Sequence, residues 1–245
     1  MSRRVTAAIT VACACALTAC GTPSSVTTDR HTSPNSSTCT ARVTPDCSGY
    51  HYASPSPGTV VVTVPPSSGG SNREFFWGLS GQNEAYPTVC ATFVNGKGID
   101  QEGIVLRLND PAVGGTTAIT VTRNIWMDTF NIFNFHIWKT GVRRSSPFTL
   151  FGSKVIPELP ARPAVYPLRM CARVVAATDQ VQFVVWTNGQ TEPRWGSTIQ
   201  GGEAKVPTGA PSTGRSGWFA GHLAPGSSVT YSGLTVDGVT ATGLP

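Results

Sequence analysis

The sequence has little charge: 13% of its residues are Asp, Glu, Lys or Arg. Its 18 basic and 13 acidic residues are scattered rather than blocked. After residue 20 the only adjacent basic pair is Arg143-Arg144, so the basic stripe of a dedicated nucleic-acid binder is missing. Past residue 20 there is also no run of 18 apolar residues, and hence no further membrane span is offered. No stretch shows a 3.6-residue apolar period, which excludes a helical architecture. No C-x-x-C or H-x-x-x-H spacing suits a metal. No G-x-S-x-G or H-E-x-x-H suits a hydrolase or metalloprotease. No internal repeat of fixed period is present.

What is there begins with MSRRVTAAITVACACALTAC. Arg3 and Arg4 give a positive start, and an uncharged run from Val5 to Leu17 follows, too short for a permanent span. Leu17-Thr18-Ala19-Cys20 then resembles the bacterial lipobox. That resemblance implies an export signal over residues 1–19, removed to leave a diacylglyceryl-modified Cys20 as the new N-terminus. Two acyl chains hold stably where one is marginal, at roughly 0.8 kcal/mol per buried methylene. The expected location is therefore the cell envelope, on the outer face of the cytoplasmic membrane, with the lipid on Cys20 as the only membrane contact. Loss of Arg3 and Arg4 lowers the net charge from +5 to about +3.

Seven Cys occur. Cys13 and Cys15 leave with the signal and Cys20 is lipidated, so Cys39, Cys47, Cys90 and Cys171 remain. An even set in an exported chain predicts two disulfides. Three pairings are possible; Cys39–Cys47 and Cys90–Cys171 are preferred, the first closing a small loop and the second stapling distant strands.

Residues 20–72 are rich in Ser, Thr and Pro and hold few large apolar side chains, so they bury too little to offset their ordering entropy. They are expected to form a tether, with Gly58 to Pro65 (GTVVVTVP) as an extended piece that could add an edge strand. Residues 73–245 suffice for one sizeable core. Their apolar segments are short, β-branched and aromatic, and are punctuated by Gly, Pro and Asn: TVCATFV, GIVLRLN, TAITVTRNIW, FNIFNFHIW, YPLRMCARVV, VQFVVWT, GWFAGHL, SVTYSGLTV. Such a series predicts an all-β sandwich or barrel.

The segment YPLRMCARVV, then VQFVVWTNGQTEPRWG, then GRSGWFAGHLAPGSSVTYSGLTV carries a known pattern. Its elements are a strand containing Cys, a strand ending at Trp186, Glu192-Pro193-x-Trp195, and Gly217 through Leu223. Together with VCATFVNGKGIDQEGIVLRL and VTRNIWMDTFNIFNFHIW upstream, it resembles the laminin G-like, concanavalin A-like jelly-roll domains of bacterial secreted proteins, from about Phe75 to Val236. The resemblance implies a two-sheet antiparallel jelly roll. It leaves function open among lectins, adhesion modules and carbohydrate-active enzymes. Such domains often bind Ca²⁺; Asp110, in Asn109-Asp110-Pro111 before a Gly-rich loop, is the one weak candidate, and otherwise no cofactor is expected.

Retaining glycosidases of this fold use Glu-x-Asp-x-x-Glu on one strand, which places two carboxylates about 5 Å apart. That spacing does not occur; its nearest approach, Asp100-Gln101-Glu102, is expected to be a solvated turn, and no catalytic residue is assigned. Binding has better candidates. Asn124, Trp126 and Asp128, then Asn134, His136 and Trp138, alternate within two adjacent strand-like runs, so that each set projects from one face. Amide and carboxylate groups there could meet sugar hydroxyls while an indole stacks on a pyranose. The competing expectation is that both Trp side chains pack internally. Trp186, Glu192, Trp195, Trp218 and His222 are expected to be structural. The primary expectation is a monomeric lectin-like binder of a glycan or another envelope ligand. An envelope interaction module with a protein partner and an unrecognised carbohydrate-active enzyme are the alternatives.

Overall fold

A computed structural model of the chain describes residues 42–43, 50–66, 73–76, 83–96, 100–109, 116–124, 130–139, 148–160, 165–187 and 189–242, and every structural statement below concerns these. Cys20, Cys39, Cys47, Asp110, Trp126 and Asp128 lie outside them.

The described residues form strands β1 (Arg42–Val43), β2 (His51–Ser56), β3 (Thr59–Thr63), β4 (Arg73–Phe76) and β5 (Thr88–Phe93). There follow β6 (Gln101–Asn109), β7 (Thr117–Asn124), β8 (Phe130–Lys139), β9 (Phe148–Pro160) and β10 (Leu168–Val175). The last are β11 (Gln180–Thr187), β12 (Gly201–Lys205), β13 (Arg215–Gly221), β14 (Ser228–Val236) and β15 (Val239–Thr240). They build a seven-stranded sheet, β1-β4-β13-β6-β7-β8-β9, and an eight-stranded sheet, β12-β11-β10-β5-β14-β3-β2 with β15 on β14. All pairings are antiparallel. The all-β, two-sheet sandwich expected from the sequence is the observed one.

Period-2 alternation explains the core. From the seven-stranded sheet, Ile104, Leu106, Ile119, Val121, Phe133, Phe135 and Trp218 point inward; from the other, Val89, Ala91, Phe93, Leu168, Met170, Phe183 and Tyr231 meet them. Phe133 stacks on Phe183 with ring centroids 4.8 Å apart, joining the two layers. Two hydrogen bonds cross between the sheets at their centre. The Trp218 indole N–H donates to the Cys90 carbonyl (3.0 Å), and the Tyr231 hydroxyl donates to the Phe219 carbonyl (3.1 Å). Both polar tips are thereby satisfied where an unpaired donor would cost about 1–3 kcal/mol.

The expected tether through residue 72 is corrected over residues 42–43, which form β1 on β4, and over residues 50–66. Val60, Val62 and Val64 are fully buried, because alternate β-branched residues in GTVVVTVP present one apolar face to the core. Val62 pairs with Val229 and Val60 with Tyr231 on β14. β3 is not an edge: β2 closes the sheet beyond it. Tyr50, just before β2, is buried and its hydroxyl accepts the Leu223 backbone N–H at 3.3 Å.

Cys90 and Cys171 form the expected disulfide. They face each other in register on neighbouring β5 and β10, Cα atoms 4.1 Å apart, and the bridge joins positions 81 residues apart in the chain. Closing so long a loop restricts the unfolded chain, typically for about 2–4 kcal/mol. The double substitution Cys90→Ser with Cys171→Ser is expected to lower the unfolding free energy by about that amount in urea titrations. A loss under 0.5 kcal/mol would show that the bridge contributes little.

Candidate functional site

The β7–β8 register brings part of the expected site together. Asn134 lies opposite Thr122, His136 opposite Thr120, Trp138 opposite Ala118 and Asn124 opposite Ile132. With Phe133 and Phe135 given to the core, Asn134, His136 and Trp138 fall on the outer face of the seven-stranded sheet. That face is not an open stacking platform. Trp138 is 2% exposed. Its ring packs against Phe148 (5.0 Å) and Phe219 (5.7 Å), and its N–H donates to Thr120 Oγ1 at 2.9 Å. His136 is buried beside it, edge-on to Phe148 at 4.9 Å, with Nδ1 3.4 Å from Thr122 Oγ1. Asn134 is also buried and Asn124 is half-buried at the strand end. Of the two expectations for Trp138, packing is the one observed rather than stacking on a sugar: Val105, Leu108, Ala118, Trp138 and Phe219 form a second small apolar cluster.

Asp100 and Glu102 are corrected as well, from a solvated turn to complete burial. β6 begins at Gln101, and alternation sends Glu102 inward with Ile104 and Leu106. On the next strand Arg123 also points inward, its Nη1 3.6 Å from Glu102 Oε2. Arg123 Nε donates to Asn131 Oδ1 at 2.7 Å, and its guanidinium lies over the Tyr166 ring at 5.0 Å. The Tyr166 hydroxyl donates to Glu102 Oε1 at 2.6 Å. Burial pushes the Glu102 carboxyl up to about 7, against the opposing pull of Arg123 and the Tyr166 hydrogen bond. Both carboxyl groups are fully buried, so among the described residues neither is exposed to solvent.

At the opposite end, a pocket of about 510 Å³ is lined by residues including Tyr86, Arg107, Asp179, Lys205 and Ala210. Arg107 adopts φ 51° within the β6–β7 register shift, which turns its side chain into the rim. There it donates to the Ala85 carbonyl (2.6 Å) and the Pro211 carbonyl (3.3 Å), and meets Asp179 at 3.4 Å. This guanidinium is spent on holding loops.

The outer face of the eight-stranded sheet is different. Because Leu168, Met170 and Ala172 go to the core, Arg169, Cys171 and Arg173 face out; likewise Val185 turns in and Trp186 out. A pocket of about 290 Å³ is lined by Thr92, Pro167, Arg169, Trp186, Thr187, Gly189 and Gln190. Trp186 is half-buried, and no ring stacks on it among the described residues. Arg169 Nη1 donates to Thr92 Oγ1 (3.1 Å) and the Gly233 carbonyl (2.7 Å), which fixes the guanidinium plane. Gln190 Oε1 accepts from the Thr187 N–H (2.8 Å) and Gln200 Nε2 (3.1 Å), pinning the turn that walls the pocket. Beside it, Arg173 lies over the Trp195 ring at 4.3 Å and is bridged through Gln182 to Glu203. Trp195 is thus structural, as is Trp218 in the core. The sequence reading took Trp186 as structural and missed Arg169, Thr92 and Gln190; the available signal was a charged residue at alternate positions of LRMCARVV.

Among the described residues no group of three or more His, Cys, Asp or Glu is placed to hold a metal ion. No helix there is long and apolar enough to cross a membrane.

No family model matches the chain, and no curated protein matches it. Solved structures with a similar arrangement of strands exist. The legume lectin-like domain of Entamoeba histolytica aligns at 12% identity over 78% of this chain and 90% of its own, TM-score 0.45. Arcelin-5, a lectin-like defence protein of Phaseolus vulgaris, aligns at 9% identity over 80% and 91%, TM-score 0.46. An alginate lyase of Pseudomonas aeruginosa aligns at 9% identity over 78% and 86%, TM-score 0.37. These likenesses concern chain architecture only.

The Glu102 environment has a consequence for stability. A carboxyl whose folded pKa lies above its unfolded value stabilises the fold while protonated; that contribution is full below about pH 4.5 and is lost as pH rises through about 7. At roughly 1.4 kcal/mol per pH unit it amounts to about 3 kcal/mol. Glu102→Gln is expected to flatten the fall in unfolding free energy between pH 5 and 8. Equal pH slopes in both proteins would contradict burial as the cause.

Proposed function

We propose that the chain is an exported, lipid-anchored, lectin-like binding protein that takes a glycan on the outer face of its eight-stranded sheet. One observation carries the reading: Trp186 offers an unstacked indole within a 290 Å³ pocket whose other walls include a fixed guanidinium and an oriented amide. Sugar rings present apolar C–H faces ringed by hydroxyls, and concave sites combining an aromatic surface with a few placed polar groups suit them. The burial of Trp138, His136 and Asn134 supports this location over the seven-stranded sheet.

The anchoring half of the reading is supported by Arg3 and Arg4, the uncharged run to Leu17, and Leu17-Thr18-Ala19-Cys20. Cys20 would carry the lipid, and the stretch ahead of Arg42 would space the sandwich from the membrane. Cys20→Ser is expected to abolish fatty-acid labelling and release the protein from the membrane fraction; retention there with label intact would contradict it. For binding, a glycan array is expected to yield ligands, and Trp186→Ala should weaken the best of them at least tenfold without shifting the melting temperature. Unchanged affinity in that variant would contradict the proposed location. Absence of any glycan ligand would contradict the function.

A further inference from the structure

We infer that the Trp186 pocket is selective for acidic sugars: a pyranose stacks on the indole while its carboxylate is held by the open edge of the Arg169 guanidinium. The inference rests on the glycan-binding reading above and goes further by naming the ligand's charge.

Most polar groups of the pocket are already committed, and what they have left to offer sets the ligand's chemistry. Arginine carries five N–H donors and no acceptor. Arg169 commits Nη1 to Thr92 Oγ1 and to the Gly233 carbonyl, while Nε and Nη2 make no hydrogen bond or ion pair among the described residues. The committed nitrogen orients the plane and leaves the remaining edge available. Gly233 is required for this clamp: its φ is +55°, and a Cβ there would stand 2.7 Å from Arg169 Nη1. Gln190 uses its oxygen twice, on Thr187 and on Gln200, so its amide N–H groups are what it can present. Thr92 accepts from Arg169 and keeps its own hydroxyl proton to give. Pro167 and Trp186 supply apolar wall.

Apart from the Thr92 and Thr187 hydroxyls, which can accept as well as donate, what these side chains have left is a set of donors beside an aromatic face. A sugar hydroxyl both donates and accepts, and its proton would find few acceptors here. A carboxylate only accepts, and its bonds to a guanidinium are charge-assisted and about twice as strong as neutral ones. Burial lowers the pKa of Arg169, opposed by the nearby charge of Glu192. Glu192 itself is exposed and forms no ion pair with Arg169. The cation is thus partly desolvated without a contacting counter-charge, and an arriving carboxylate would supply one. Arg107 and Arg123, by contrast, already contact Asp179 and Glu102.

The test uses the purified full-length protein and a panel of hexuronate oligosaccharides, each paired with its own methyl ester, so that only the charge differs. Galacturonate, glucuronate, mannuronate and guluronate series are included, with neutral galactose, glucose and mannose oligomers as controls. The expected result is at least one acid bound tenfold or more tightly than its ester, with affinity falling as salt rises. Arg169→Gln should erase that preference while leaving residual binding of the ester, and Arg169→Lys should keep part of it. Acid and ester bound alike would overturn the inference and leave the glycan reading standing, as would an acid preference that survives Arg169→Gln. Binding of no saccharide, acidic or neutral, would overturn both. The acid–ester comparison on the unmodified protein needs no variant, so a failure of Arg169→Gln to fold does not spare the inference.

Discussion

Two sheets that share one core must each give up every second side chain to it, and what is left over faces outward by geometry. In β8, sending Phe133 and Phe135 inward commits Asn134, His136 and Trp138 to the outer face. In β10, the inward turn of Leu168, Met170 and Ala172 commits Arg169, Cys171 and Arg173 to the other side. The Cys90–Cys171 bridge, the Arg169 pocket and the Trp138 cluster all follow from this parity. A one-residue slip of either strand would exchange core for surface. The central ties, Trp218 to the Cys90 carbonyl and Tyr231 to the Phe219 carbonyl, oppose such slippage across the layers.

Four arginines show how one side chain serves different ends. Arg107 is wired to backbone carbonyls and Asp179 and holds a rim. Arg123 is buried against Glu102, Asn131 and the face of Tyr166. Arg173 covers Trp195 and is fixed by Gln182. Arg169 alone among these four is oriented without a contacting carboxylate or a ring beneath it, and it shares its pocket with an unstacked indole. Preorganised but unspent donors are what a binding site requires, because the ordering cost is met before the ligand arrives.

Much of the architecture was legible because alternation is local. VQFVVWT, SVTYSGLTV and FNIFNFHIW each show their parity within a few residues, and Cys90 and Cys171 each lie in such a run. The β2–β3 hairpin was harder. Its Val60, Val62 and Val64 sit among Ser, Pro and Gly, and their value appears only once β14 lies alongside. Asp100 and Glu102 were misread because the neutralising Arg123 comes from another strand, and only pairing brings it near. The same holds for the tryptophans. Trp138 and Trp186 look alike in sequence, but Phe148 and Phe219 arrive to cover the first, and no aromatic ring among the described residues covers the second. Whether a donor is satisfied is likewise non-local: Arg169 meets Thr92 from 77 positions away and Gly233 from 64.

The central claim is that ligand is taken on the eight-stranded sheet, at Trp186, and not on the β7–β8 face. Indole N–H resonances of the ¹⁵N-labelled protein, followed during titration with a bound oligosaccharide, address it directly. The account predicts that the Trp186 signal shifts with saturation while those of Trp138 and Trp218 stay in place. A shift at Trp138 with Trp186 unmoved would contradict it and return the site to the seven-stranded sheet.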